Sequence, residues 1–144
     1  MYPEPLVAPM RQELTRLGVA ELRTATDVDA KLKNAPGTTL VVVNSVCGCA
    51  ARNARPAVAM ALQHAVKPDA ATTVFAGQDP DATRQARSYF VGYPPSSPAI
   101  ALLKDGQVVF MLERWQIEGR SAHEIARDLT GALDEHCAPV PQKA

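Results

Sequence analysis

Residues 39–56 read TLVVVNSVCGCAARNARP, and the pattern of this stretch changes at two cysteines. Its first five residues are mostly β-branched and almost continuously apolar, which predicts a strand buried on both faces, as in a parallel sheet. The alanine-rich residues 50–66 carry apolar side chains four apart and predict a helix, which Pro56 should kink in its first half. The two cysteines therefore lie where a buried strand gives way to a helix.

Cys47 and Cys49 flank one glycine at this junction, beyond the carboxyl end of the strand, where open α/β sheets usually place their chemistry. Unpaired N–H groups and the helix dipole favour an anion there, so we expect Cys47 to have a lowered pKa and to be the exposed nucleophile. Cys49, in the first helical turn, is expected to be more buried and to act as the resolving thiol. Gly48 permits the unusual dihedral angles of a tight turn, and a disulfide across one residue closes a small, easily reduced ring.

Two other interpretations of the cysteines stay open. A free cysteine often serves as a small buried hydrophobe, and we favour this interpretation for the isolated Cys137. A metal site is the competing functional hypothesis, because His136 and Cys137 can add ligands to Cys47 and Cys49. Structural zinc sites prefer roughly two to four residues between paired cysteines and a second clear pair, so the sequence favours thiol chemistry and predicts no metal.

Composition excludes several classes of partner. The 15 basic and 15 acidic residues cancel, so neither nucleic acid nor an anionic membrane surface is a predicted partner. The opening residues, MYPEPLVAPMRQEL, lack the pattern of a signal peptide, and no window is apolar enough for a membrane span. Three cysteines are too few, and odd in number, for a secreted disulfide framework. We therefore expect a single cytoplasmic domain over residues 1–144.

The residues before the cysteine stretch predict an N-terminal helical extension over residues 1–36. A first helix stops at Gly18, which suits the left-handed position after a helix, and a short edge strand follows around Leu22. Thr26 and Asp29 resemble a capping box that opens a second helix. The apolar faces of these helices are Leu6, Met10, Leu14 and Leu17 in the first and Val28 and Leu32 in the second.

The residues after the cysteine stretch continue the alternation of strand and helix and then change character. Asp79 is a predicted N-cap, Ser121 and Glu124 form a predicted capping box, and residues 138–144 are expected to be a flexible tail. The predicted elements are a strand at 72–75, a helix from Pro80 to about Phe90, hairpin strands at 98–103 and 108–112, and a last helix that buries Ile125, Leu129 and Leu133. A βαβ unit followed by a helix, a β-hairpin and a C-terminal helix is typical of the thioredoxin-like α/β architecture, with a central mixed β-sheet flanked by helices.

Pro98 opens the first hairpin strand, a position where proline removes no needed hydrogen-bond donor. In thioredoxin-like folds a cis-proline begins this strand and faces the redox cysteines, and the backbone of the preceding residue then pairs with a disulfide substrate. That residue is Ser97 here. We therefore expect a cis peptide bond before Pro98, and substrate contacts from Ser97, Pro98 and Gly48.

Several segments from residue 46 onward carry a resemblance to a known family. They are Val46-Cys-Gly-Cys-Ala-Ala51, Ala54-Arg-Pro56, Ser96-Ser-Pro98, Lys104-Asp-Gly106, Glu113-Arg114 and Gln116-Ile-Glu-Gly-Arg120. With them the chain resembles the bacilliredoxins, CGC-motif thiol–disulfide oxidoreductases of bacteria that make bacillithiol. The resemblance implies removal of bacillithiol from mixed disulfides on client proteins, with Cys47 receiving the small thiol, bacillithiol as co-substrate and no bound cofactor. Disulfide isomerase or reductase activity is the nearest alternative.

Two residues depart from the bacilliredoxin pattern: Arg52 stands where glycine is expected, and Trp115 where histidine is expected. Arg52 either strengthens thiolate formation at Cys47 by its charge or points into solvent. Trp115 is predicted to be a half-buried packing residue, and Glu113 with Arg114 to be an ordinary solvated face.

Arg55 and Arg120 are the residues we expect at the rim of the site. A guanidinium there would hold the carboxylate of a small thiol such as bacillithiol, and Arg55 is for this reason a predicted substrate-binding residue. His64 and His123 fall on predicted helices, and neither has a sequence neighbour that favours a general-base role.

Overall fold

The computed structural model describes residues 1–137, in which helices flank a five-stranded sheet. Residues 138–144, the predicted flexible tail, lie outside the described residues. The strands are β1 (Ala20–Glu21), β2 (Thr38–Asn44), β3 (Ala70–Phe75), β4 (Ala99–Lys104) and β5 (Gln107–Leu112). The helices are α1 (Glu4–Thr15), α2 (Ala25–Leu32), α3 (Arg55–Ala61), α4 (Pro80–Arg87), α5 (Arg114–Ile117) and α6 (Ala122–His136). A π-helical segment, Ala50–Ala54, leads directly into α3.

The sheet has the order β1-β3-β2-β4-β5, with β2 at its centre. β3 is parallel to β1 and β2, whereas β4 is antiparallel to β2 and to β5. Every residue of β2 is buried, which confirms the strand predicted from its continuous apolar run. The mixed sheet and the order of its elements confirm the predicted fold class.

Alternate side chains of β2 enter two different layers of the core. Leu40 and Val42 pack in the layer of α3 and α6, while Val41 and Val43 pack in the layer of α2 and α4. This alternation follows from the two-residue repeat of a strand, and burial of each such side chain contributes about 1.5–3 kcal/mol. Because β2 is fixed on both faces, the loop that follows it starts from a rigid support.

The buried face of α1 differs from the predicted one. Leu14 is buried as expected, but Leu6 is 51% exposed, and the residues buried with Leu14 are Val7 and Arg11. The apolar pattern misses Arg11 because an arginine counts as polar in a sequence, whereas here three carboxylates neutralise its buried charge. Gly18 follows the helix with a φ of +89°, in the left-handed region as predicted.

The capping box of α2 lies earlier in the chain than predicted. It consists of Thr24 and Asp27, not of Thr26 and Asp29. Asp29 instead accepts a 2.7 Å hydrogen bond from the hydroxyl of Tyr89, which fastens α2 to the segment after α4. The predicted apolar face of α2 is buried.

Other boundaries differ in detail. α3 ends at Ala61 rather than at Val66, because residues 62–66 form turns. Asp79 is the N-cap of α4 as predicted, but its side chain does not cap the helix because it binds Arg11. The edge strand, the hairpin and the capping box of α6 are as predicted. No helix within residues 1–137 is both long and apolar enough to cross a membrane.

Candidate active site

The cysteine loop begins immediately after β2, at the carboxyl end of the central strand. Gly48 and Cys49 already have helical geometry, and the amides of Ala50 and Ala51 donate to the carbonyl of Cys47 at 3.0 and 3.1 Å. The loop therefore closes directly into the π-helical segment. Cys47 is half-buried and Cys49 is 9% exposed, which confirms the predicted difference in their exposure.

The two sulfur atoms lie 3.0 Å apart, in a hydrogen-bonding contact between free thiols. Ser45 also contacts the sulfur of Cys47. Its hydroxyl donates to Cys47 Sγ at 3.1 Å and accepts the backbone N–H of Cys47 at 3.2 Å. Either thiol can be the donor in the contact between the two sulfurs, and once Cys47 is ionised its sulfur accepts from both Cys49 and Ser45. Two donors on one sulfur stabilise its thiolate relative to its thiol.

The surroundings shift the pKa values of the two thiols in opposite directions. Burial raises the pKa of Cys47, but hydrogen bonds from Cys49, Ser45 and the Ala50 amide, with the charge of Arg114, bring it below its ordinary value. Burial, and then the neighbouring Cys47, raise the pKa of Cys49. The first proton that the pair loses therefore comes from Cys47. The sequence predicts backbone amides as the main cause, whereas the structure gives the larger part to the two side-chain donors.

Gly48 provides space rather than an unusual conformation. The prediction that it adopts dihedral angles special to glycine is wrong, because it lies in the first helical turn and its φ is outside the left-handed region. A β-carbon at this position would come within 2.7 Å of Nη2 of Arg52, so the exposed guanidinium of Arg52 lies over the glycine. Arg52 was expected either to strengthen the Cys47 thiolate by its charge or to point into solvent. Its exposure favours the second interpretation.

A buried polar network around Arg55 supports the start of the cysteine loop. Arg55 donates from Nη1 to Asn44 Oδ1 at 3.0 Å and to the carbonyl of Ser45 at 2.8 Å, and from Nε to Glu13 at 2.9 Å. Asn44 Oδ1 also accepts the backbone N–H of Ser45 at 2.9 Å. The prediction that Arg55 lies at the rim of the site is wrong, because its side chain is 3% exposed and these acceptors occupy it. It holds the residue whose hydroxyl contacts Cys47.

The loop before β4 approaches the cysteine loop from the neighbouring strand. Val43 of β2 lies opposite Ala99 of β4, so Pro98 lies beside the end of β2. The peptide bond between Ser97 and Pro98 is cis, as the sequence predicts. Arg114 donates from Nη1 to the carbonyl of Ser97 at 3.4 Å, and its charge favours the thiolate form of both cysteines. Arg114 thus connects this loop with the two thiols.

The short helix α5, which carries Arg114, has no counterpart in the predictions from sequence. The backbone N–H of Arg114 donates to Ser96 Oγ at 2.7 Å, so α5 is fastened to the loop before β4. Trp115 is 73% exposed, and its Nε1 donates to Glu113 at 3.0 Å, so the prediction of a half-buried packing residue is wrong. Arg114 is more than part of a solvated face, and its only signal in the sequence is its place in the segments shared with bacilliredoxins.

A cleft of about 600 Å³ opens beside this loop, between the end of α4, the loop before β4 and α5. We call it the arginine cleft. Its polar and aromatic lining includes Arg87, Ser96, Ser97, Arg114, Trp115 and Glu118. Because Arg114 lines the cleft and its charge acts on both thiols, the cleft lies on the side of the site that faces Arg114.

The remaining candidate residues have partners of their own. Arg120 donates to Asp128 at 2.7 Å, so its guanidinium is directed to α6. His64 likewise pairs with Asp134 of α6, at 2.7 Å. Cys137 is buried in the core at the end of α6. Within residues 1–137, no three His, Cys, Asp or Glu side chains are grouped so as to hold a metal ion.

Comparison with solved structures places the chain among proteins of the thioredoxin fold. It is similar to the thioredoxin of Fasciola hepatica, with a TM-score of 0.56 and 19% identity over 82% of this chain and 99% of that one. It is also similar to mitochondrial thioredoxin 3 of Saccharomyces cerevisiae, with a TM-score of 0.57 and 16% identity over 85% of this chain and 98% of that one. At such identities the likeness shows the fold alone, and it confirms the predicted architecture.

Sequence comparison identifies the family. A family model described as disulphide isomerase matches residues 2–137. A bacilliredoxin of Koribacter versatilis is 55% identical over 95% of this chain and 94% of its own length, and one of Bacillus licheniformis is 54% identical over 94% and 95%. A bacilliredoxin of Salinibacter ruber is 56% identical over 94% of this chain and 81% of its own length. The chain belongs to this family of disulphide isomerases and bacilliredoxins, and it is a thiol–disulfide oxidoreductase, as the resemblance implies.

Proposed function

We propose that the chain removes bacillithiol from mixed disulfides on client proteins, with Cys47 as the nucleophile and Cys49 as the resolving thiol. The observation that carries the proposal is the pair of sulfur atoms 3.0 Å apart whose pKa values shift in opposite directions. Such a pair supplies one thiolate that attacks and one protonated neighbour that completes the exchange. The name bacilliredoxin, which the relatives carry, supports bacillithiol as the small thiol.

In the first step, the Cys47 thiolate attacks the bacillithiol sulfur of the mixed disulfide. An S–S bond forms between Cys47 and bacillithiol, the bond between bacillithiol and the client breaks, and the client leaves as a thiolate that takes up a proton. One disulfide forms for each one broken, so this step needs no other electron donor. The hydrogen bonds from Ser45 and Cys49 favour the ionised sulfur before the attack.

In the second step, Cys49 resolves the adduct. Cys47 has by then lost its charge, so it no longer raises the pKa of Cys49, and the positive charge of Arg114 favours the Cys49 thiolate. Cys49 attacks the sulfur of Cys47 and bacillithiol leaves as a thiolate. The two cysteines are thereby oxidised to an intramolecular disulfide, and the mixed disulfide is reduced to two thiols.

The test uses one client protein loaded in parallel with bacillithiol and with glutathione, and it follows the client and each small thiol by mass. We expect bacillithiol to be removed faster than glutathione. The Cys47→Ser variant should leave the client loaded, whereas Cys49→Ser should retain bacillithiol on Cys47 as a mass adduct. Cys137→Ser is the matched control and should act like wild type. Equal rates for both small thiols would contradict the choice of bacillithiol. An adduct on Cys49 in the Cys47→Ser variant would show that Cys49 is the nucleophile and would reverse the two roles.

Disulfide isomerase or reductase activity of the same pair is the second candidate function, and the description of the family model favours it. In this reaction, Cys47 attacks a disulfide within a protein, and the product depends on whether a client thiol or Cys49 resolves the mixed disulfide. A client with scrambled disulfides tests it. Recovery of native pairings at a higher rate than bacillithiol removal would make isomerisation the main function.

We also infer that the reaction needs no resident cofactor and that bacillithiol acts as a co-substrate, because the two thiols themselves supply both electrons. A reducing cytoplasm suits these thiols, because it keeps them in the form that attacks. Native mass spectrometry of the purified chain tests the first point. A stoichiometric non-covalent adduct that is needed for activity would contradict it.

A further inference from the structure

Arg87 is a cation in the wall of the arginine cleft with little to neutralise it. Its Nη2 donates to the carbonyl of Ser96 at 3.3 Å, while its Nε is buried without a hydrogen-bond partner in residues 1–137. No carboxylate of the same residues pairs with it, and burial alone lowers its pKa. A guanidinium carries five N–H donors, and within residues 1–137 only Nη2 of Arg87 makes a hydrogen bond. A partly buried cation without an anion is costly, and a bound anion would offset that cost.

The other charged side chains of the cleft already have partners. Arg114 pairs through Nε with Glu118 at 3.3 Å and donates to a backbone carbonyl through Nη1. Glu113 accepts the indole N–H of Trp115 at 3.0 Å. Arg87 therefore differs from Arg114, because no carboxylate among residues 1–137 neutralises its charge.

The cleft that Arg87 lines lies where the exchange reaction needs space for the small thiol. After the first step the small thiol is attached to Cys47, so its body has to occupy space beside that sulfur. The arginine cleft is such a space, because Arg114 in its wall acts by its charge on both thiols and donates to the carbonyl of Ser97, the residue before Pro98. At about 600 Å³ it is large enough for a small molecule, and the exposed ring of Trp115 offers it an apolar surface.

We propose that the arginine cleft binds the carboxylate of the small thiol that Cys47 accepts, and that Arg87 is the residue that selects carboxylate-bearing thiols over neutral ones. This inference rests on the proposed function and adds a ligand subsite to it. The planar guanidinium suits a carboxylate because its N–H groups match the two oxygens in a bidentate pair.

The test uses two thiols that differ at one group. N-acetylcysteine carries a free carboxylate, and N-acetylcysteine amide carries a neutral carboxamide in its place. One client protein is loaded with each, and the rate of client release is measured with wild type and with the Arg87→Gln variant. The two thiols differ in intrinsic reactivity, but this difference cancels when the ratio of their rates is compared between the two proteins.

We expect the Arg87→Gln substitution to slow release from N-acetylcysteine about tenfold more than release from the amide, as loss of one charge-assisted hydrogen bond would do. Arg87→Lys, which keeps the charge but not the planar fork, should recover part of the preference. The matched control is Arg127→Gln, which removes one exposed positive charge on α6 and should leave both rates unchanged. An equal slowing of both thiols by Arg87→Gln would overturn the proposal, since Arg87 would then only support the loop through Ser96.

A second measurement separates the subsite from the proposed function. The Cys47→Ser, Cys49→Ser double variant cannot exchange thiols, and it is titrated with S-methylated N-acetylcysteine and with the matching amide while the Nε–H signal of Arg87 is followed by NMR. We expect the acid to shift this signal and the amide to leave it in place. Equal behaviour of both compounds would overturn the subsite even if bacillithiol is removed. A shift by the acid alone would support the subsite even if the client assay contradicts bacillithiol.

Discussion

Arg11 and Arg55 are both buried in this molecule, but their charges are neutralised in different ways. Arg11 donates at 2.7–3.1 Å to the carboxylates of Glu4, Glu21 and Asp79. These carboxylates belong to α1, the edge strand β1 and the N-cap of α4, and the guanidinium also lies 5.2 Å from the ring centre of Phe75. Arg11 therefore joins the N-terminal helix to the sheet, and its contribution is to stability.

Arg55 has one carboxylate partner, Glu13, and otherwise binds neutral acceptors. Those acceptors are Asn44 Oδ1 and the carbonyl of Ser45, and Asn44 also accepts the Ser45 amide. Both backbone groups of Ser45 are thus held, and its hydroxyl is aimed at Cys47. Arg11, with three acids from three elements, therefore joins parts of the fold, whereas Arg55, with one acid and two neutral acceptors, fixes the geometry of Ser45 beside the reactive thiol.

Replacement of Arg11 should have the largest effect on stability. Arg11→Met leaves Asp79, Glu21 and Glu4 close together, and the only nearby cation in residues 1–137 is then the half-exposed Arg23, 3.6 Å from Glu4 and 3.8 Å from Asp79. We therefore expect the free energy of unfolding to fall by about 3 kcal/mol. Urea denaturation measures it. The exposed Arg16→Met is the control and should change stability by less than about 0.5 kcal/mol. If Arg11→Met also moved the ultraviolet titration of the thiols, the separation between a stability network and a site network would be wrong.

Replacement of Arg55 should have a smaller effect on stability and a clear one on the thiols. Arg55→Met leaves the Ser45 carbonyl and Asn44 without their donor, which should cost about 1–3 kcal/mol in unfolding free energy. Because Ser45 then loses its fixed position, the pKa of Cys47 should rise. Thiolate absorbance as a function of pH measures the rise. The rise should be smaller in Arg55→Lys, which keeps the charge but not the planar donor group. A destabilised variant with an unchanged thiol titration would show that Arg55 acts only on folding.

Replacement of Ser45 tests the last contact of that network. Ser45→Ala removes one hydrogen bond to Cys47 Sγ, so the pKa of Cys47 should rise and alkylation by iodoacetamide at neutral pH should slow by about three- to tenfold. Stability should change by no more than about 1 kcal/mol. Ser88→Ala removes an exposed serine whose hydroxyl donates to the carbonyl of Gln85, and it serves as the control. An unchanged alkylation rate would assign the lowered pKa to Cys49, the Ala50 amide and the charge of Arg114, without Ser45.

The smallest expected effect is a pH dependence of stability from Cys47 itself. Its pKa is lower in the folded chain than in the unfolded chain, so the thiolate stabilises the fold. This contribution is complete above the unfolded pKa and is lost as the pH falls through the folded pKa. Urea unfolding of wild type and Cys47→Ser under reducing conditions measures it as a difference that grows with pH across this window. A difference that shrinks with rising pH would contradict the direction assigned to Cys47.

The sequence was most informative where a structure depends on near neighbours in the chain. The buried strand β2, the hairpin, the capping box of Ser121 and Glu124 and the cysteine pair at the strand-to-helix junction follow from apolar period, turn residues and capping chemistry. These preferences act over a few residues, so they can be read from a short window. The cis bond before Pro98 was expected from the architecture that those elements defined.

Which charged groups contact one another depends on the tertiary structure, because the partners are far apart along the chain. Arg114 follows β5, whose last residue lies opposite Ile100 near the start of β4, and Arg87 ends α4, yet both line one cleft. Arg11 binds acids on three separate elements. No local pattern announces such partners, since a long arginine side chain can reach solvent or an acid from the same position in the sequence. The place of the two thiols at the end of the strand, and the order in which they enter the helix, follow from the local sequence. Only the folded chain determined which donors and charges surround each sulfur, because these come from residues far apart along the chain.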